Sequence, residues 1–318
     1  MEPKSSFRGK PYNLFGDYLL EKYGARVFKI PLNSDFSCPN RDGSVGRDGC
    51  IFCSDDGSAS PGIKGLTIKE QCESAIKNFS RSDEDTRYIS YFQAYTNTYA
   101  DNSFLKEKYS EAVNFSDKII GLMIGTRPDC LPDSTVDMIS GFKKDNFELW
   151  IEIGMQSMHE GSLRFLKRGH THEDTRNAVK RAAARNIPVC VHVITGIPGE
   201  NWRDIMQTAR EISSLPVSGV KLHQLHVIKG TLLEKLYRMN SLKLPDMSEY
   251  ASITVDILER LRPDILIHRL SADREENTLI APLWGNHKGS VIKEIDRQFR
   301  ERATWQGFLH DDSSPGIA

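Results

Sequence analysis

Apolar, β-rich runs alternate with segments of helical period from residue 27 to residue 226, and that alternation leaves few architectures open. Strands are predicted near 27–31, 87–94, 118–125, 148–154, 188–195 and 218–226. Helices are predicted between them near 67–80, 101–114, 132–144, 172–186 and 201–214. Strands joined through crossover helices pair in parallel, and the helices cover both faces of the sheet. Six such units predict an incomplete, TIM-like (β/α)6 barrel, with a doubly wound sheet as the alternative. Either arrangement gathers the carboxyl ends of the strands, and the loops after them, at one mouth.

The first strand runs straight into that mouth with Cys38-Pro-Asn-Arg-Asp-Gly-Ser-Val-Gly-Arg-Asp-Gly-Cys50-Ile-Phe-Cys53. Three thiols on one glycine-rich loop can hold three irons of a [4Fe–4S] cube and leave the fourth iron open. A fourth nearby cysteine would close the shell, as in an electron carrier or a structural zinc site, and none is present. A zinc ion completed by a distant residue, or three unrelated buried thiols, are the plainer alternatives. Cys72, Cys130 and Cys190 fall in helical or apolar surroundings and are expected to be small core residues.

The other strand ends carry hydrogen-bonding groups. They are Gln93, Thr96 and Asn97 among aromatics after the second strand, and Arg127 after the third. Glu152 and Gln156 lie on one side of the fourth by strand parity. His192 lies on the fifth, which ends in the Gly196-Ile-Pro-Gly-Glu turn, and the sixth carries Lys221, His223 and His226. Taken singly, each has an ordinary explanation as a solvated or locally satisfied residue; their shared place at one rim favours function.

A lead-in helix is expected within residues 1–25, so that residues 1–230 form the core. Residues 231–310 are expected to form a C-terminal α/β extension covering the open barrel, with helices at 231–239, 247–261 and 288–303 and a seventh strand-like run at 265–270. The tail, 311–318, is expected to be disordered. The chain holds 42 basic and 43 acidic residues, so no global field draws it to nucleic acid or membrane. Lacking a membrane-length apolar run and the apolar core of a secretory signal, it is expected in the cytoplasm.

The loop Cys38-x11-Cys50-x2-Cys53 with Phe52 beside the last thiol, together with the Gly196 to Glu200 turn, resembles the radical S-adenosylmethionine (SAM) superfamily. The long first gap is similar to the elongator catalytic subunit subgroup. The runs 36–53, 91–99 and 280–284 resemble the YhcC-like family within it. The resemblance implies reductive cleavage of SAM at a [4Fe–4S] cluster to a 5′-deoxyadenosyl radical, with an electron donor such as flavodoxin or ferredoxin. It places Phe52 beside the adenine and Gln93, Thr96 and Asn97 near the methionine amino group. Gln156 and Arg168 match SAM contacts of the coproporphyrinogen-oxidase branch, His192 stands where that branch has a ribose-binding aspartate, and Gly196 begins a turn supporting the adenine. The substrate is unassigned. RNA is one candidate, for which Lys288, Lys293, Arg297, Arg300 and Arg302 would offer a phosphate-binding face, against the plainer reading of a solvated helix. The competing function is a non-catalytic zinc- or iron–sulfur-binding redox sensor or scaffold.

Overall fold

The computed structural model describes residues 8–54, 57, 65–79, 85–274 and 277–311; the expected disordered tail from 312 onward lies outside them. The elements follow in chain order: α1 (Phe15–Tyr23), β1 (Val27–Leu32), α2 (Ile68–Phe79), β2 (Arg87–Phe92), α3 (Asn102–Val113), β3 (Ile119–Thr126), α4 (Asp133–Ser140) and β4 (Glu148–Gln156). Then come α5 (Glu160–Phe165), α6 (His172–Ala184), β5 (Val189–Thr195), α7 (Trp202–Ser214), β6 (Gly219–Gln224) and β7 (Val227–Ile228). The last are α8 (Leu232–Arg238), α9 (Met247–Arg260), β8 (Leu266–Arg269), β9 (Leu279–Ala281) and α10 (Lys288–Arg302).

Among the described residues seven strands form one parallel sheet in the order β1-β2-β3-β4-β5-β6-β8. The order never reverses, so the doubly wound alternative is excluded: such a sheet needs a switch point. The sheet also curls. Glu152, on the central strand β4, lies 3.7 Å from Lys29 on the edge strand β1 and 3.8 Å from His268 on the opposite edge strand β8. A flat sheet would hold those edges far apart, with strands about 4.8 Å from each other. The result is the expected partial barrel, with one strand more than six because β8 pairs with β6.

The outer face of the strands is apolar. Their outer residues, including Ile30, Leu122, Ile151, Val191 and Val220, pack under the helices in the main core. The inner face is layered. At its base Phe15 and Leu19 of α1 pack with Ile89, Met123 and Trp150, and Phe15 stacks on the His268 ring at 3.9 Å. Helix starts are set by local chemistry: Thr171 with Asp174, Asn201 with Asp204, and Asp246 with Glu249 form reciprocal capping boxes. The short α5 and the β7–β9 pair were not expected from periodicity; three-residue and six-residue elements carry too few repeats to show one.

Candidate active site

The long loop after β1 is held by its own backbone. Arg41 N donates to Cys38 O, Val45 N to Pro39 O and Gly49 N to Asn40 O, each at 2.8 Å, and Cys53 N donates to Cys50 O at 3.0 Å. A Cβ at Gly46 would sit 2.5 Å from Asn40 Oδ1, so glycine there leaves the Asn40 side chain in place. Asn40 Nδ2 in turn donates to Lys167 O at 2.6 Å and to Cys50 Sγ at 3.4 Å. The loop is thereby fastened to the turn that presents Arg168.

Cys38, Cys50 and Cys53 line one cavity of about 270 Å³ at the carboxyl ends of the strands. Burial, and then the neighbouring Cys50, pushes the Cys53 thiol above its ordinary pKa. The three thiols as placed stand farther apart than the sulfurs around one zinc ion. Tetrahedral zinc brings its sulfurs to about 3.8 Å from one another. Among the described residues the trio with all its ligand atoms within 4.8 Å is Glu152, Cys190 and His268, not the three loop cysteines. Thiolates on separate irons of a cube stand farther apart and meet no such limit.

Phe52, Gln93, Thr96, Gln156, Arg168 and His192 line the same cavity. Arg168 is 8% exposed and fully engaged: Nη1 donates to Cys50 Sγ at 3.2 Å, Nη2 to Gly154 O at 3.0 Å and Nε to His170 Nε2 at 3.1 Å. Burial, and then this guanidinium, holds His170 down to about 2, so it is the neutral acceptor that Arg168 requires. Gln156 ends β4 at a register shift with φ of 66°. A left-handed backbone at a non-glycine residue costs on the order of 1–3 kcal/mol and tends to mark a working position. Its Oε1 and the Oγ1 of Thr96 are buried and have no hydrogen-bond partner among the described residues.

Two predicted contacts lie elsewhere. The Asn97 side chain is turned into the structure, where Nδ2 donates to Phe92 O at 3.1 Å and Gly125 O at 2.7 Å; it shapes the loop that presents Thr96. Gly196 lines a separate cleft, against Pro245. Arg127 grips the carboxylate of its own neighbour Asp129 in bidentate fashion, at 3.0 and 2.8 Å.

Below the cavity lies a charged layer that strand parity only hinted at. Glu152 is buried and accepts from Tyr91 and Lys221, with His192 Nε2 at 3.0 Å. Burial opposes its ionisation, yet Lys221, Lys29 and His192 hold its pKa well below the ordinary carboxylate value. Burial and Lys221 bring Lys29 down to about 7 and His192 to about 4. His192 is therefore neutral at pH 7, with one ring nitrogen committed to Glu152. Lys29, Arg269 and Gln224 were not singled out in advance, because a lone charged or amide residue on a strand carries no signal until the sheet curls.

Comparison with known proteins decides the family. The radical SAM superfamily model matches residues 40–212, and the radical SAM C-terminal domain model matches 217–301. The chain is 36% identical over 292 residues to protein YhcC of Escherichia coli, covering 92% of this chain and 93% of that one. The chain belongs to the radical SAM superfamily. It is likewise 36% identical to the uncharacterised protein YtqA of Bacillus subtilis, over 94% of this chain and 92% of that one. In fold it is similar to Elp3 of the archaeon Methanocaldococcus infernus, with a TM-score of 0.62 and 17% identity, over 88% of this chain and 64% of that one. Radical SAM proteins generally use a [4Fe–4S] cluster and SAM, and this chain is a radical SAM enzyme. No helix among its described residues is long and apolar enough to cross a membrane.

Proposed function

We propose that Cys38, Cys50 and Cys53 hold a [4Fe–4S] cluster at the cavity mouth and that the cavity holds SAM against it. When bound, that pair supplies the chemistry: one electron from the cluster splits SAM into methionine and a 5′-deoxyadenosyl radical, which takes a hydrogen atom from substrate. The observation that carries this reading is the pair of partnerless buried atoms, Gln156 Oε1 and Thr96 Oγ1, in the same cavity as the three thiols. Buried polar atoms without partners are unfavourable, and a ligand with ammonium and hydroxyl donors relieves both.

The chain's own residues then position and exclude. Arg168 and Asn40 donate to Cys50 Sγ, which orients that thiolate and tempers its charge. Gln156 and Thr96 accept from the amino end of SAM, Phe52 covers the adenine, and neutral His192, whose Nε2–H donates to Glu152, accepts a ribose hydroxyl on Nδ1. Ile194, Leu225 and Ile228 give the cavity an apolar stretch of wall that excludes solvent from the reacting groups. RNA as substrate draws no support from α10: Lys288 pairs with Asp273, Arg297 with Glu294 and Glu301, and Arg302 with Asp256, so three of the five expected cations already have acidic partners.

Anaerobically reconstituted protein is expected to carry about four irons and four sulfides per chain and to release 5′-deoxyadenosine from SAM under a strong reductant. Cys50→Ala is expected to lose both properties and Cys190→Ala to keep them. Stoichiometric zinc without SAM cleavage, or full cleavage by Cys50→Ala, would overturn the assignment.

A further inference from the structure

The cavity has a second wall that takes no part in holding the thiols or the proposed SAM. It lies at the β6 and β8 side and carries His223, His226, Arg269 and Arg274. Arg269 ends β8 and is half-buried; its Nε is enclosed and has no hydrogen-bond partner, and its guanidinium forms no hydrogen bond or ion pair with any described residue. A shielded guanidinium left in that state is unfavourable unless a ligand completes it.

Among the described residues, the carboxylates nearest this wall have other cationic partners. Glu152 is engaged by Lys221 and Lys29, and Asp273 lies 3.6 Å from Lys288. The nearby histidines are neutral: burial and then Arg269 hold His223 well below its usual value, while burial, Arg274 and Arg269 bring His226 to about 3. Among the described residues, the Arg269 guanidinium therefore stands on this wall without a paired carboxylate. It is also rigid. Gln224 is fully buried and clamps the loop after β8, accepting from Ser271 Oγ and Ala272 N at 3.2 Å and donating to Ala272 O at 3.1 Å. A preformed wall spends little ordering entropy when a ligand arrives.

We propose that this wall is the substrate subsite and that it takes an anionic group of the substrate, a carboxylate or a phosphoryl group, on the Arg269 guanidinium. The proposal rests on the SAM-cleaving reading above, in which the thiol side of the cavity is filled by cofactor and this side faces the hydrogen-abstracting carbon. Planar guanidinium is suited to both anions through paired, charge-assisted hydrogen bonds.

The test uses full-length, cluster-loaded protein and two methyl-bearing probes, acetate and methyl phosphate, read by saturation-transfer NMR of their methyl protons with and without saturating SAM. Transfer to at least one probe is expected, unchanged by SAM. It should fall at least fivefold in Arg269→Gln and survive in Arg269→Lys, with iron content and near-ultraviolet circular dichroism unaltered in both. Stronger transfer to methyl phosphate assigns a phosphoryl-bearing substrate, and stronger transfer to acetate a carboxylate. No transfer to either probe, transfer that persists in Arg269→Gln, or transfer abolished by SAM would overturn the proposal; the last would give Arg269 to the cofactor's own carboxylate. SAM cleavage measured on the same unaltered protein separates the two claims. Cleavage without probe binding removes the anion site alone, whereas probe binding without cleavage removes the SAM reading and with it the site's role as a substrate subsite.

Discussion

Glu152 shows what a single buried charge does in this molecule. Its carboxylate is in reach of side chains from β1, β2, β5, β6 and β8, so one residue ties together strands from edge to edge. Removing it leaves Lys221 and Lys29 without their counter-charge in low dielectric, which is more damaging than a missing contact. Glu152→Gln is therefore expected to lose about 3–5 kcal/mol of stability by denaturant unfolding near neutral pH. The pH dependence has a defined sign. Because the folded-state pKa lies below the ordinary value, the stabilisation from Glu152 is complete above about pH 4.3 and is lost as pH falls through the folded pKa. The unaltered protein should thus lose stability with acidification more steeply than Glu152→Gln; parallel curves would show that the carboxylate is not ionised in the fold.

At the scale of elements, the end of β4 is where a regular strand turns to line the cavity. Gly154 leaves room for the Arg168 guanidinium to reach its carbonyl, and a Cβ there would stand 2.9 Å from both Arg168 Nη2 and Gln156 Nε2. Both side chains could swing away, so the fold would tolerate the change while the site would not. Gly154→Ala is expected to retain most of its thermal stability and to bind SAM about tenfold more weakly, since displacement of positioning groups by an ångström is enough to lose that much. Calorimetric titration of SAM into the reconstituted variant checks it, and an unchanged affinity would remove Arg168 and Gln156 from the cofactor contacts. The register shift and the left-handed Gln156 belong to the same device, turning the last residues of a regular strand toward the mouth.

Across the whole molecule, the segment after residue 230 is woven into the barrel. β8 pairs with β6, Leu14 beside α1 bridges to Ile267, α9 packs on both α7 and α10, and the Gln306 side chain donates to Arg262 O and Ile265 O. A chain ending at residue 230 would expose the edge of β6 and the apolar face of α7. It is expected to lack a cooperative thermal transition, and a sharp transition near that of the full chain would show instead that the first 230 residues fold alone. Much of the plan was legible in the sequence for a physical reason: six strand–helix units repeat a periodicity that depends only on near neighbours, and three cysteines stand on one loop of the chain. Loop spacing also carried the likeness of Phe52, Gln156 and Arg168 to known sites, and the cavity gathers all three. What only the tertiary structure decided are the pairings between residues far apart in the chain. These are the curl that brings Lys29 and His268 to Glu152, the inward turn of Asn97, the placing of Gly196 in another cleft, and the lone guanidinium of Arg269. Burial and long-range electrostatics set these pairings, and neither quantity exists along an unfolded chain.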